Sequence, residues 1–379
     1  MNEQTRALAR ALQQIITVII LLTLVIVFID LRRVSTGIVP PLMDGEGNII
    51  QGSVAEKVNV KINGMEQGMI IRGKDLRNPV LLFIEESSGL PGFVFNETHA
   101  TKLEDHFTVV WWEGRGAGLS HDESLDQKSL TLEQYVQDAA AISEYLGARF
   151  GQDKIYLLGH GSGSLVGIST AQARPELFHA YIGMSQSAGS RLGAESGTLI
   201  YQYLLSKFAA LDDQGSLNRL ERLATKHDDG TVTFSAESQR DLDALKHRAG
   251  NGTMRHMTSR TSGVLMPLAR TPAYTLGEKL DIWRSSRFME GAPFYQEFLA
   301  TDMVQDHVTL AVPVYFLIGA HDYMNPHSQA RRLFDGIRAP VKGFYTFKDS
   351  AASPLWEEPE AVIEIMVQDV LLATARLAD

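Results

Sequence analysis

Lys154-Ile155-Tyr156-Leu157-Leu158-Gly159-His160-Gly161-Ser162-Gly163-Ser164-Leu165-Val166-Gly167 is a short apolar β-run that breaks at glycines and restarts as a helix. A strand, a tight turn and a helix in that order have the shape of a nucleophile elbow. Its central residue sits on a strained turn, and small residues two positions to either side let strand and helix approach closely. With Gly159 and Gly163 as the small flanks, the central position falls on Gly161, which has no side chain with which to attack. Two other registers compete. Ser162 at the centre makes His160 and Ser164 the flanks and puts an imidazole where the helix must meet the strand; Ser164 at the centre makes them Ser162 and Val166, which is worse. In the Gly161 register Ser162 opens the helix, its backbone N–H placed to face an oxyanion. A glycine-rich turn without chemistry is the plainer reading of the same residues.

The chain has 379 residues, 44% of them hydrophobic, which is enough for a large core and one domain carrying an insertion. It has no cysteine, so disulfides, thiolate catalysis and Cys-ligated zinc are excluded, while the compartment stays open. A net charge of -10 without any Lys/Arg cluster argues against a nucleic-acid partner, because phosphate binding needs clustered cations.

From Ile15 to Ile29 the residues are Ile, Leu, Val, Phe and Thr, approaching the roughly 20 apolar residues that span a bilayer. Residues 1–33 therefore read as a single-pass membrane anchor. Arg6 and Arg10 on one side nearly balance Arg32 and Arg33 on the other, which leaves the orientation open. A cleavable signal peptide competes, but Asp30-Leu31-Arg32-Arg33 stands where a small-x-small cleavage pattern would follow. Residues 34–52, with Pro40, Pro41 and several glycines, read as a linker. Val58, Val60 and Ile62 alternate with polar residues, and Asn63-Gly64 is a two-residue turn that folds Met65 to Ile71 back as the second strand of a hairpin.

Val80 to Ile84 and Phe107 to Trp112 are continuous apolar runs, as in strands buried on both faces. Thr131 followed by Gln134 suggests a capping box opening a helix to about Phe150. The elbow strand comes next, then its helix to Arg174, stopped by Pro175, and a strand from Ala180 to Met184. This alternation predicts an α/β fold with a mostly parallel sheet and helices on both faces. The pattern places the sheet in two pieces, 53–187 and 305–379, around an inserted helical cap, 188–304, with helices at Leu199 to Leu211 and Ser238 to Arg248. Strands resume at Val314 to Ile318 and Gly343 to Phe347, and a closing helix runs from about Pro359 to Leu377.

These motifs resemble the α/β-hydrolase superfamily, and more narrowly the proline iminopeptidase (prolyl aminopeptidase) group of serine peptidases, over nearly everything after the linker. The resemblance rests on the elbow, on Gly89-Leu90-Pro91-Gly92 after an apolar strand, and on Trp112-Glu113-Gly114-Arg115-Gly116-Ala117-Gly118-Leu119-Ser120. Gly319-Ala320-His321-Asp322-Tyr323 and Ser353-Pro354-Leu355-Trp356-Glu357-Glu358-Pro359 complete it. Active members of that group carry an elbow serine, an aspartate after the penultimate strand, a histidine in the last loop and a His-Gly-Gly-Pro-Gly oxyanion loop. Matched residue by residue, the aspartate is Asp322, the serine position is Gly161, and the histidine position is Ala352. The oxyanion loop reads Glu85-Glu86-Ser87-Ser88-Gly89, so only its final glycine survives, and Gly114 stands where the group usually has glutamine.

Serine hydrolysis needs an oxygen to attack, an imidazole to take its proton, and donors aimed where negative charge develops. Losing nucleophile or base costs about a million-fold in turnover in a well-studied triad, and losing both costs about the same. These departures from the family pattern imply a catalytically inactive hydrolase-fold protein, membrane-anchored through residues 1–33, that acts, if at all, by binding a peptide, small molecule or partner in a pocket under the cap. The alternative is an active serine hydrolase or aminopeptidase releasing N-terminal residues through an unrecognised nucleophile. No cofactor is implied, and His99, Asp105 and His106 lack metal-ligand spacing. His160 is expected to face the helix packing and His321 to be a turn residue. Glu85 and Glu86 read either as an acidic pair gripping an ammonium or as a solvated pair. Trp111 and Trp112 belong to core and cleft wall.

Overall fold

A run of fifteen residues that is apolar except for two threonines lies within one continuous helix, α1 (Glu3–Val34), in a computed structural model that describes residues 3–85, 91–190, 192–259, 261–304 and 308–379. Its stretch Leu12–Val34 is long and apolar enough to cross a membrane, and none of it is buried against the rest of the chain. Thr17 and Thr23 donate their hydroxyls to the carbonyls of Gln13 and Ile19, so the polar side chains inside the apolar stretch are satisfied by the helix itself. The segment that follows docks immediately. Thr36 pairs with Thr275, and the N–H groups of Gly37 and Ile38 donate to the Pro272 carbonyl at 2.9 and 3.1 Å.

β1 (Val54–Ile62) and β2 (Met65–Gly73) pair antiparallel with Ile62 opposite Met65. Asn63 and Gly64 take φ of +45° and +83°, the left-handed pair that a two-residue hairpin turn requires. The alternating part follows: β3 (Val80–Ile84), α2 (Gly92–Thr98), β4 (Thr108–Glu113), α3 (Leu132–Phe150), β5 (Ile155–His160), α4 (Gly163–Ala173) and β6 (Phe178–Met184). Thr131 caps α3 by accepting from the Gln134 N–H, but the expected capping box is not completed because the Gln134 side chain donates to Asp138, and Gly151 ends the helix at φ +65°.

After β6 comes an insertion with its own small core. It holds α5 (Ala194–Ala210), α6 (Gln214–Leu223), β7 (Ala224–Lys226), β8 (Val232–Phe234), α7 (Gln239–Arg248), α8 (Met266–Arg270), α9 (Leu276–Glu290) and α10 (Pro293–Ala300). An all-helical insertion is not what forms. Asp229 and Gly230, the latter at φ +81°, turn the chain, and Val232 and Phe234 bury against Leu204, Phe208 and Leu245. That alternation across a turn is a hairpin signal, and it outweighs the polar, helix-like surroundings.

β9 (Val314–Gly319), α11 (His327–Gly336), β10 (Lys342–Phe347), α12 (Pro354–Glu357) and α13 (Pro359–Ile365) complete the fold. The main sheet has the order β1-β2-β4-β3-β5-β6-β9-β10, parallel from β4 onward. One face buries Leu82, Val110, Leu157 and Phe316 and the other Phe83, Val109, Leu158 and Leu317, as period-2 strands covered on both sides must. The closing helix is shorter than its apolar pattern suggests. Past α13 it widens into a π-turn at Met366–Val370, and the tail doubles back because the Asp369 carboxylate collects the N–H groups of Arg376 and Leu377 at 2.7 and 2.8 Å.

Candidate functional site

The carboxyl ends of β5, β9 and β10 bring three sequence positions together. In open α/β sheets this is the edge where ligands bind, because loops diverge there and leave a crevice. At the end of β5, Gly161 holds φ at +56°, the left-handed region where L side chains are strained. The flanks behave as small flanks should. A β-carbon at 159 would lie 2.6 Å from the Gly163 carbonyl oxygen and the Ser164 α-carbon, and one at 163 would collide with the carbonyl oxygens of Ile84 and Glu85. The turn is pinned by the Gly161 N–H to the Met184 carbonyl at 3.1 Å and by the Ser164 hydroxyl to the Gly161 carbonyl at 2.6 Å. Ser164 Oγ also accepts the Ser187 N–H at 2.8 Å, and Ser162 is buried at the start of α4.

Asp322, buried after β9, sits in a tight turn: its Oδ1 accepts the N–H groups of Met324 and Asn325, both at 2.9 Å, and its Oδ2 accepts the Ser185 hydroxyl at 2.5 Å. Ser185 follows β6 at φ +48°, an unusual conformation for serine, and Asn325 donates to both its carbonyl and its hydroxyl at 2.9 Å. Nothing in the sequence marked Ser185 or Asn325. Only the distance in space between 185 and 322 creates the contact.

Ala352, buried in the loop after β10, lies between two residues held by a carboxylate from the Ser353–Pro359 motif. Glu357 Oε2 accepts the N–H groups of Ala351 and Ser353 at 2.9 and 3.1 Å, while Oε1 accepts the Arg255 N–H at 2.5 Å. Burial pushes the Glu357 carboxyl up to about 7, against the pull of those three N–H groups, and the nearby Asp322 charge pushes the same way. The 321 turn is tied to this loop by the His321 N–H to the Ser350 carbonyl at 3.0 Å, so the acid and base positions share one wall.

His160 does not face the helix. Residue 159 does, so its neighbour on the strand points to the other side. The imidazole packs edge-on against Trp356, ring centroids 5.4 Å apart, and its Nε2 lies 2.9 Å from the Ala352 carbonyl. A carbonyl only accepts, so Nε2 carries the proton. Ser353 Oγ lies 3.5 Å from that nitrogen, but its own hydroxyl donates to the Thr253 carbonyl at 2.9 Å. A protonated nitrogen and an engaged hydroxyl do not make a base and its nucleophile.

On the opposite wall Glu85 follows β3. Its carboxylate turns inward, 2.5 Å from where a Gly92 β-carbon would be, rather than into solvent. Glu86, Ser87, Ser88 and Gly89 lie outside the described residues. Beyond Glu85, Glu113 at the end of β4 is buried and accepts from the Tyr274 hydroxyl at 2.5 Å and the Leu119 N–H at 2.8 Å. Burial raises its carboxyl to about 7. Trp111 and Trp112 are core residues at 1% exposure, and His321 is a turn residue as expected. Among the described residues no group of His, Asp and Glu is arranged to hold a metal ion.

A sequence-family model described as alpha/beta hydrolase fold matches residues 89–359. A probable aminopeptidase, YbaC of Bacillus subtilis (strain 168), is 26% identical over 312 residues, 81% of this chain and 93% of that protein. Among solved structures, a proline iminopeptidase of Mycobacterium smegmatis superposes with a TM-score of 0.56 at 16% identity, covering 84% of this chain and 98% of that one. A membrane phospholipase A described as a bacterial virulence factor superposes with a TM-score of 0.54 at 16% identity, covering 98% of both chains.

Proposed function

Because the chain belongs to the α/β-hydrolase fold family, we propose that it is a membrane-anchored member that no longer runs acyl transfer and binds a peptide, small molecule or partner under its insertion, which acts as a cap. The observation that carries this reading is Gly161: the backbone adopts the elbow's left-handed turn at φ +56°, and the atom that would attack is missing from its tip. Ala352 supplies no imidazole of its own, the His160 ring beside it donates to the Ala352 carbonyl, and the neighbouring hydroxyls of Ser164 and Ser353 each donate to a carbonyl. Asp322 keeps its turn through Ser185 and the backbone, without a catalytic task. The anchor is supported by Leu12–Val34, whose apolar side chains are mostly exposed, and by the full-length likeness to a membrane phospholipase A. On this reading the cap would stand beside the membrane, because the segment after α1 pairs with Thr275.

The relative named as a probable aminopeptidase favours a second reading, release of N-terminal residues through a nucleophile other than residue 161. A fluorophosphonate probe on the full-length chain in detergent separates the two. Silence of the parent chain, with labelling gained by the Gly161→Ser/Ala352→His variant carrying a Gly-Gly-Pro-Gly loop at 86–89, supports the first. Stoichiometric labelling of the parent, or turnover of an N-terminal-proline reporter that the probe abolishes, establishes the second.

A further inference from the structure

A cleft opens between the insertion and the turn after β9, where His321 and Tyr323 on either side of Asp322 line it. It has a volume of about 520 Å³ and is lined by Lys207, Arg248 and Arg255 together with Tyr203, Tyr323 and Asn251. That is within the roughly 300–1,000 Å³ of small-ligand sites. None of the elbow, base-loop or oxyanion positions lines it, and among the described residues neither does any carboxylate.

The walls are rich in donors. Lys207 and Arg248 extend from the last turns of α5 and α7. Asp213 takes Nε of Arg248 at 2.6 Å, and Asp349 takes Nη1 of Arg255 at 2.9 Å. Each guanidinium is thus steadied along one edge while its remaining N–H groups stay available for a planar anion. Arg255 is further fixed because its backbone N–H is held by Glu357. The bland reading is a pair of solvated surface ion pairs, and for Arg248, 65% exposed, that alone would suffice. It does not account for the convergence of three cations on one concavity beside an aromatic floor. Tyr203 and Tyr323 stack with centroids 4.0 Å apart and planes at 17°, presenting a flat apolar surface. Asn251 closes the back, its Nδ2 donating to the His321 carbonyl at 2.8 Å.

We propose that this cleft binds a small organic anion, a carboxylate or phosphate monoester carried on a flat ring, with Lys207, Arg248 and Arg255 on the charge and the tyrosine pair against the ring. The full-length chain in neutral detergent is titrated by calorimetry with phenyl phosphate, with N-benzoylglycine, and with the uncharged N-benzoylglycinamide. At least one anion binds with a dissociation constant below about 1 mM, weakening with salt, while the amide binds at least about tenfold more weakly. Lys207→Gln and Arg255→Gln each weaken the anion about tenfold, whereas Lys226→Gln, which removes the same charge elsewhere on the insertion, leaves it unchanged. Preference for phosphate or for carboxylate identifies the ligand class and supports the site either way. Equal binding of the amide, unchanged affinity in the Lys207 and Arg255 variants, or no binding of either anion up to about 10 mM overturns it.

Discussion

The Tyr274 hydroxyl donates to Glu113 at 2.5 Å across the seam between the insertion and the sheet, and both side chains are buried. A carboxylate there has two donors but no cation in contact, which is why burial raises its proton affinity to about 7. The sign follows from proton counting. Between about 4.5 and about 7 the folded chain holds a proton that the unfolded chain releases, so this group's contribution is largest in acid and falls as pH rises through that window. The full difference is on the order of 3 kcal/mol. Glu113→Gln preserves both contacts, with Oε1 accepting from Leu119 and Nε2 donating to the tyrosine oxygen, but carries no charge. Its urea midpoint should exceed the parent's at pH 8 and converge with it near pH 5. Parallel pH profiles would refute the assignment.

Glu357 has a similarly raised carboxyl, about 7, yet the same substitution should act in the opposite sense. Its two oxygens accept from Ala351, Ser353 and Arg255, so each side of the carboxylate faces N–H donors. An amide can satisfy one side only and turns an N–H₂ against donors on the other. Glu357→Gln should therefore lose about 1–3 kcal/mol and loosen residues 351–353. Amide hydrogen exchange of Ala351 and Ser353 reads the loosening directly, and unaltered protection would show that the carboxylate is not what holds this loop.

Gly161→Ser restores the missing oxygen at a left-handed φ of +56°, and an L side chain is strained there. We expect the variant to be destabilised by about 1 kcal/mol and to stay silent toward fluorophosphonates on its own, because Ala352 supplies no base. Adding Ala352→His should restore labelling only together with the repaired oxyanion loop. Labelling of Gly161→Ser alone would mean that another imidazole reaches residue 161.

Much of this was legible in the sequence because local chemistry and global fold agree. The Asn63-Gly64 hairpin, the Thr131 cap and the spacing of Gly159, Gly161 and Gly163 each impose one geometry, and the structure adopts it. What escaped depends on contacts between distant residues. Periodicity cannot show that Ser185 meets Asp322, that Asp369 reels in residues 374–377, or that His160 reaches the Ala352 carbonyl. The β7–β8 hairpin lies between these cases. Its turn and alternation were visible, but its strands are three residues long and gain stability only from the insertion's own core.

The Trp112-to-Ser120 segment is anchored by a buried ion pair. Arg115 meets Asp138 through Nε at 2.7 Å and Nη2 at 2.9 Å, with side-chain exposures of 8% and 0%. Gln67, Asn63 and Gln134 supply further amide donors to the same carboxylate at 2.8–2.9 Å, so the pair ties the first hairpin, the segment after β4 and α3 into one knot. Removing the arginine strands a buried anion. Arg115→Met should cost about 3–5 kcal/mol, while Arg115→Met combined with Asp138→Leu should recover much of that loss because no uncompensated charge remains. Denaturant midpoints of both variants decide it, and a single variant within about 1 kcal/mol of the parent would show that the amides alone suffice to hold Asp138.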